Sequence, residues 1–346
     1  MDGGRLSEIR PGDDRARAEW EALLEREGIR RDRHLDYTVG LYDEEDRLVA
    51  TGSCFADTLR CLAVDGARRG EGLLGRIVSH LVELLMEQDR PRLFLHTRSD
   101  RTPFLSGLGF YEVVRRDGIS LMENRRDGFE KFLRDLSGSA RPGRSAALVM
   151  NANPFTLGHR FLVERAAAEN DSVHLFVVSD DVSLVPFEDR FALVKAGCDG
   201  LGNVALHRTE GYMISQAVFP SYFLEDEDAA VTAQARLDAA LFERIASVLG
   251  VTRRYVGEEP FSRVTRLYNE VMALGLPNAG IELVVVPRLE RDGRAVSASE
   301  VRRRIKEGDV EAVRPLVPPA TYDYFFTERG REAVRRIRSA SEVVHH

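Results

Sequence analysis

The sequence predicts two α/β domains in tandem, a mixed sheet first and a doubly wound parallel sheet second. Three observations carry this expectation. Residues 137–145, Ser-Gly-Ser-Ala-Arg-Pro-Gly-Arg-Ser, are turn-formers with one apolar residue among them and are followed at once by an apolar run. They divide 346 residues into two parts of ordinary domain size. Ahead of that linker, strand-like runs follow one another through a short turn, as in an antiparallel sheet. Behind it, short β-branched runs alternate with helical ones, as in a parallel sheet with helical crossovers.

In order, the first part opens with a charged helical segment near 16–26. Strands are expected at 37–42, 48–55 and 58–64, the first two joined as a hairpin across Asp43–Asp46. The run Arg68-Arg69-Gly70-Glu71-Gly72 then leads into an amphipathic helix at 73–87. A strand at 93–97, a short helix at 102–107 and a strand at 110–115 complete the pattern. In the second part strands are expected at 146–150, 173–178, 204–207, 254–256 and 281–286. The intervening helices fall at 157–168, 188–195, 231–249 and 265–273, with two more at 299–306 and 310–316. The domain bounds are therefore 1–136, a linker at 137–145, 146–327, and a basic helix or tail at 328–346 whose arginines form a solvated face.

Composition removes several classes of function. Asp and Glu outnumber Lys and Arg by 56 to 49, giving a net charge of −7, which disfavours a generic nucleic-acid binder. No charge-free apolar run reaches membrane-spanning length, and the opening residues lack the apolar core of a signal peptide, so a cytoplasmic protein is expected. The three cysteines, Cys54, Cys61 and Cys198, form no paired motif and read as small core residues. His34, His80, His96, His174 and His207 have no metal-ligand spacing, so no metal site is expected.

Chemistry concentrates at two turns of the second part. Asn151-Ala152-Asn153-Pro154-Phe155-Thr156-Leu157-Gly158-His159 lies where the first strand turns into the first helix, the ligand-facing edge of such a sheet. A helix N-terminus offers unpaired N–H groups and partial positive charge to phosphate. Thr156 and His159 add side-chain donors, and Gly158 is expected to let a ligand approach the backbone. Val296-Ser297-Ala298-Ser299-Glu300-Val301-Arg302 opens a later helix, with Ser299 as the expected N-cap. Two hydroxyls and a guanidinium at a second N-terminus make another phosphate cradle.

Together these segments resemble the HxGH nucleotidyltransferase superfamily, in the T-x-G-H form of its phosphopantetheine adenylyltransferase-like members. Longer strings narrow the resemblance. NANPFTLGHRFLVERA, VPFEDRFALVKAG, ISQAVFPSYFL, YVGEEPFSRVTRLYNEVM and VSASEVRRRI are similar to the [citrate (pro-3S)-lyase] ligase family, also called citrate lyase synthetases. In the first part, Arg69-Gly70-Glu71-Gly72-Leu73-Leu74 resembles the pyrophosphate loop of GNAT acetyltransferases, with Leu74 at the final Gly or Ala position. The segment 104–113, FLSGLGFYEV, resembles the helix-to-strand segment of the same superfamily.

The resemblance implies a GNAT-like mixed sheet fused to a Rossmann-like nucleotidyltransferase sheet. It implies an ATP-dependent, Mg²⁺-assisted ligase that makes acetyl-adenylate and pyrophosphate from acetate. The acetyl group would then pass to the thiol of the dephospho-CoA-derived, phosphopantetheine-type group on the citrate lyase acyl carrier (γ) subunit. Catalysis would fall to His159, Thr156 and Arg302, and ATP binding to Asn153, Pro154, Phe155, Gly158, Gly257, Ser297 and Ser299. Arg69, Gly70 and Gly72 would hold the carrier's arm. Where the family pattern has a lysine the chain has Glu225-Asp226-Glu227-Asp228, so that another cation, Arg190 or Arg266, would hold phosphate. Neither a nucleic acid nor a membrane is an expected partner. Two other readings stay open: a nucleotidyltransferase that joins AMP or CMP to a phosphorylated metabolite, fused to an acetyltransferase, and a nucleotide sensor without catalysis.

Overall fold

A computed structural model describes residues 4–32, 34–179, 182–213, 227–258, 263–291 and 293–340. The strings at 214–224, Glu225-Asp226 and His345-His346 lie outside the described residues. Contacts divide the chain into two compact units, Met1–Phe129 with Pro220–Ala233, and Glu130–Phe219 with Gln234–His346.

The first unit is built on a seven-stranded mixed sheet of order β1-β2-β3-β4-β5-β7-β6. Its strands are β1 (Arg5–Glu8), β2 (Tyr37–Tyr42), β3 (Leu48–Phe55), β4 (Thr58–Val64), β5 (Phe94–Arg98), β6 (Tyr111–Arg116) and β7 (Ile119–Glu123). Helix α1 (Asp14–Arg26) buries Trp20, Leu23 and Leu24. Helix α2 (Leu73–Glu87) places Ile77, Val78, Leu81 and Leu85 on one face, the i, i+1, i+4, i+8 spacing of a core-facing stripe. That stripe shares a core with Val39, Leu41, Leu59 and Leu95 of the sheet. All strand pairs are antiparallel except β4 with β5, which pair only at Thr58 with Phe94 and Leu59 with Leu95. Just beyond that pairing Cys61 takes a left-handed φ of 49°, and the β3–β4 register slips by a residue. Helix α3 (Thr102–Ser106) leads into β6.

The second unit carries a five-stranded, wholly parallel sheet of order β10-β9-β8-β11-β12. Its strands are β8 (Ser145–Met150), β9 (Ser172–Val177), β10 (Val204–Arg208), β11 (Val251–Gly257) and β12 (Glu282–Val286). The helices are α4 (Gly128–Ser137) and α7 (Glu227–Leu249), each of which begins in the first unit, with α5 (Leu157–Glu169), α6 (Phe187–Gly197) and α8 (Arg263–Gly275). After β12 a small hairpin, β13 (Glu290–Arg291) and β14 (Arg294–Ala295), precedes α9 (Ala298–Lys306), α10 (Pro319–Tyr324) and α11 (Glu328–Ser339). The order is the doubly wound one expected. The chain steps outward from β8 through β9 to β10, then returns to the other side of β8. The direction of winding thus reverses between β8 and β11, and the carboxyl ends of those two strands are where such sheets bind their ligands.

Several expectations are corrected. The sequence does not suggest α4, yet its ten residues bury Phe129, Phe132, Leu133 and Leu136, spaced three, one and three apart. Phe132 packs on Tyr212 and Glu130 pairs with Arg244, so most of this helix belongs to the second unit. The last helix keeps Arg331, Arg335, Arg336 and Arg338 on an exposed face, as expected, while its opposite face, Ala333, Val334 and Ile337, completes the second core beside Val301 and Ile305. Its Gly330 is fixed by packing, because a Cβ there would lie 1.8 Å from the Tyr324 carbonyl. The segment near 310–316 is a 3₁₀ turn, Glu311–Leu316, with Pro315 inside it. Cys54, Cys61 and Cys198 are buried free thiols, which burial pushes up to about 11, 12 and 11. Among the described residues no helix is long and apolar enough to cross a membrane.

Candidate active site

The loop after β8 sits at the reversal point and is fixed from behind. Asn153 is buried, and its Oδ1 accepts the Val185 N–H at 3.1 Å. The Asn153–Pro154 peptide is cis, and Phe155 is fully buried against Gly197, where a Cβ would come within 2.3 Å of its ring. Arg190 is wholly buried and donates to the carbonyls of Asn151, Val178 and Val185. It is a brace for the loop, and the expectation that it would hold phosphate is corrected. Arg266, the other cation expected there, lies exposed on α8.

Thr156 is the N-cap of α5, and its Oγ1 accepts the His159 N–H at 3.3 Å. His159 returns the interaction, its Nδ1 accepting the Thr156 backbone N–H at 3.0 Å. A reciprocal cap of this kind contributes about 1 kcal/mol to the helix. It also fixes the ring chemically. A nitrogen that accepts from an amide cannot carry the proton, so the neutral imidazole holds its hydrogen on Nε2. Burial, then the charges of Arg288 and Arg302, push His159 down to about 4, so the ring is a neutral donor at neutral pH. Phe155 stacks on the ring at 5.7 Å and limits its rotation.

The second segment meets the first directly. The N-cap of α9 is Ser297, not Ser299: the Ser297 Oγ accepts the Glu300 N–H at 3.1 Å. The S-x-x-E spacing from Ser297 to Glu300 is the sequence signal that identifies it. Ser299 instead accepts from Arg302 Nη2 at 3.2 Å. Arg302 is fully buried, is pushed down to about 10 by that burial, and donates through Nη1 to the Asn153 carbonyl. Its neighbours Arg303 and Arg304 both turn to Glu300, whose carboxyl they hold down at about 2.

Gly158 corrects the sequence-based reason given for it. A Cβ there would meet the Val296 carbonyl at 2.4 Å, so the missing side chain admits the lead-in to α9 rather than a ligand. Two helix N-termini are thereby held together, with the Arg302 guanidinium bonded to Ser299 and the Asn153 carbonyl and its charge acting on the His159 ring. Gly257 ends β11 beside this edge, and a Cβ there would meet nothing within 4 Å. Arg288, absent from the sequence-based set, follows β12 and is the first charge to act on His159. Nothing in its local sequence marks it except its position past a strand's carboxyl end.

In the first unit the loop after β4 leads into α2. Gly70 has φ 91° and Gly72, the N-cap, φ 76°, conformations that favour glycine, and no side chain caps the helix. The Arg69 guanidinium pairs with Glu27, whose other oxygen accepts the Gly66 N–H at 2.8 Å. Arg68 pairs with Glu71 at 2.8 Å.

Residues 145–325 match the family model of the citrate lyase ligase C-terminal domain. The chain is 41% identical over 287 residues to the [citrate [pro-3S]-lyase] ligase of Klebsiella pneumoniae, covering 81% of this chain and 84% of that one. It is 36% identical over 304 residues to the Escherichia coli K12 enzyme of the same name, covering 85% and 86%. Among solved structures, the pantothenate synthetase of Thermus thermophilus aligns with 59% of this chain and 80% of its own, at 19% identity and TM-score 0.35. An acyl-CoA N-acyltransferase-like structure from Klebsiella pneumoniae aligns with 34% of this chain and 94% of its own, at 15% identity and TM-score 0.29. The chain belongs to the citrate lyase ligase family and is an enzyme of the acid–thiol ligase type.

Proposed function

We propose that this enzyme activates acetate with ATP and acetylates the thiol of the prosthetic group on the citrate lyase acyl carrier subunit. A carboxylate oxygen of acetate attacks the α-phosphorus, and the bond to the bridging oxygen of the β-phosphate breaks, releasing pyrophosphate. The carrier's thiolate then attacks the acetyl carbonyl, and the carbon–oxygen bond to AMP breaks. Both steps join or separate anions, so they need fixed donors and positive charge more than a general base.

The observation that carries this proposal is the junction of the α5 and α9 N-termini through Arg302, Asn153 and the Gly158–Val296 contact. His159 would donate its Nε2–H to a phosphate oxygen, and Arg302 would supply charge. Ser297 and Ser299 accept within the protein, so each hydroxyl keeps its own proton to donate. Thr156 would act through His159, as the group that sets its tautomer. A donor aimed at developing charge is worth roughly 3–4 kcal/mol, and a useful acceleration needs more than about 8, so several must act together. Asn153, Pro154, Phe155, Gly158 and Gly257 would shape the pocket for ATP. Mg²⁺ would be held chiefly by the phosphates and would neutralise part of their charge.

The division of labour is part of the proposal. The first domain would hold the dephospho-CoA-derived arm at Arg69, Gly70 and Gly72, where open amides at a helix N-terminus suit a pyrophosphate. The test is pyrophosphate release from ATP with acetate, propionate, citrate or no acid. Release that needs acetate supports the ligase reading. Release that needs a phosphomonoester instead would transfer the chain to the adenylyltransferases.

A further inference from the structure

The triphosphate of ATP carries up to four negative charges, yet the residues assigned above supply one fixed cation. His159 is neutral. Arg288 stands where a second cation is needed. It follows β12 at the carboxyl edge of the sheet, and its Nε donates to the Glu258 carbonyl at 2.8 Å. Glu258 is itself tied to β12, its N–H donating to the Val286 carbonyl at 2.8 Å. On the other side, the Leu289 carbonyl accepts the Val296 N–H at 2.8 Å, and the Val296 carbonyl is the group pressed on Gly158. Arg288 is thus clamped between the exit of β11 and the lead-in to α9, one backbone contact away from the first turn of α5.

We propose that Arg288 is a phosphate-binding residue of this site and holds the pyrophosphate portion of the nucleotide, through ATP binding and after cleavage. The proposal rests on the ligase reading for the identity of the nucleotide, though not for the anion. Its charge acts on the His159 ring ahead of that of Arg302, as expected of a cation facing the same space.

The experiment uses inorganic pyrophosphate and the full chain, without acetate. Arg288→Gln should weaken pyrophosphate binding by about tenfold or more, the value of one charge-assisted contact. The His159 ring should titrate at higher pH by NMR once the neighbouring charge is gone. In the unaltered chain, pyrophosphate should protect Arg288 from phenylglyoxal, a result that does not depend on any variant folding. Unchanged affinity in a folded R288Q, or modification of Arg288 at the same rate with and without pyrophosphate, overturns the assignment. Acetate-dependent turnover is measured separately, so loss of the ligase reading and loss of this residue's role give different results.

Discussion

Helices α2 and α5 begin alike in outline, each after a strand and with glycine at or near its N-terminus, but the glycines serve opposite ends. At Gly70 and Gly72 the requirement is conformational: both have positive φ, and a Cβ at either would meet nothing within 4 Å. At Gly158 the requirement is steric, because the Val296 carbonyl fills the space. The first turn therefore presents backbone amides with no side-chain cap, as suits a ligand that brings its own shape. The second is packed from behind and offers side-chain donors in fixed orientation, as suits a transition state. A glycine motif read from sequence does not distinguish the two, and only the neighbours do.

The largest expected effect comes from the packed turn. His159→Ala should lower acetate-dependent pyrophosphate release by about 10²-fold or more, since an oriented donor to developing charge is lost. Release at the wild-type rate in a folded variant would remove His159 from the chemistry. The glycines sharpen the contrast. Gly158→Ala should part α5 from α9 and destabilise the chain by about 1–3 kcal/mol, despite alanine's higher helix propensity, with adenylation falling alongside. Gly72→Ala should cost roughly 1–2 kcal/mol of backbone strain, leave adenylation alone, and slow carrier acetylation. Thermal melts and the two half-reactions separate these outcomes, and equal effects of both variants on adenylation would erase the distinction.

Arg302→Lys comes next. A point charge cannot serve the Asn153 carbonyl, Ser299 and a phosphate from one planar fork, so ATP should bind roughly tenfold more weakly. Titration calorimetry with ATP checks this, and wild-type affinity would mean that Arg302 is structural only.

A separate effect concerns acid stability. His159 is held near 4 against the usual 6.5, and burial also lowers His174 and His207, whose rings bond at 2.9 Å. Each is neutral when folded and takes up a proton on unfolding between those values. Stability from these groups is complete above about pH 6.5 and is lost as pH falls towards 4. Denaturant melts at pH 7, 5.5 and 4.5 should show a steady decline, and His159→Ala should make it shallower. No change in slope would mean that His159 is not held neutral.

Much of the architecture is legible in the sequence because packing enforces its periodicity. The strands at 37–42, 48–55 and 58–64 and the helix at 73–87 have the bounds read from pattern alone. Strand β1 is not, because Arg5–Glu8 pairs at an edge and needs no apolar face. Strand β7 is buried throughout, and its five residues, Ile119–Glu123, lack the alternation that marks a half-exposed strand. The candidate site divides the same way. Thr156, His159 and Arg302 sit in short motifs, whose helix N-termini the structure brings together. Arg190 and Gly158 are found but given the wrong reason, because their contacts are with distant carbonyls. Arg288, proposed above as a phosphate-binding residue, lies in no such motif, because its charge acts on His159 through a sheet order that no local pattern encodes.

The central claim is that acetate oxygen attacks the α-phosphorus of ATP. It is tested most directly with acetate carrying ¹⁸O at both oxygens, with ATP, the carrier subunit and the full chain. Attack at the α-phosphorus leaves an acetate oxygen bridging carbon and phosphorus, and thiolysis at carbon leaves that oxygen on AMP. The expected product is AMP that carries a single ¹⁸O per acetyl group transferred, with pyrophosphate unlabelled. Unlabelled AMP, or label in inorganic phosphate or pyrophosphate, would contradict it.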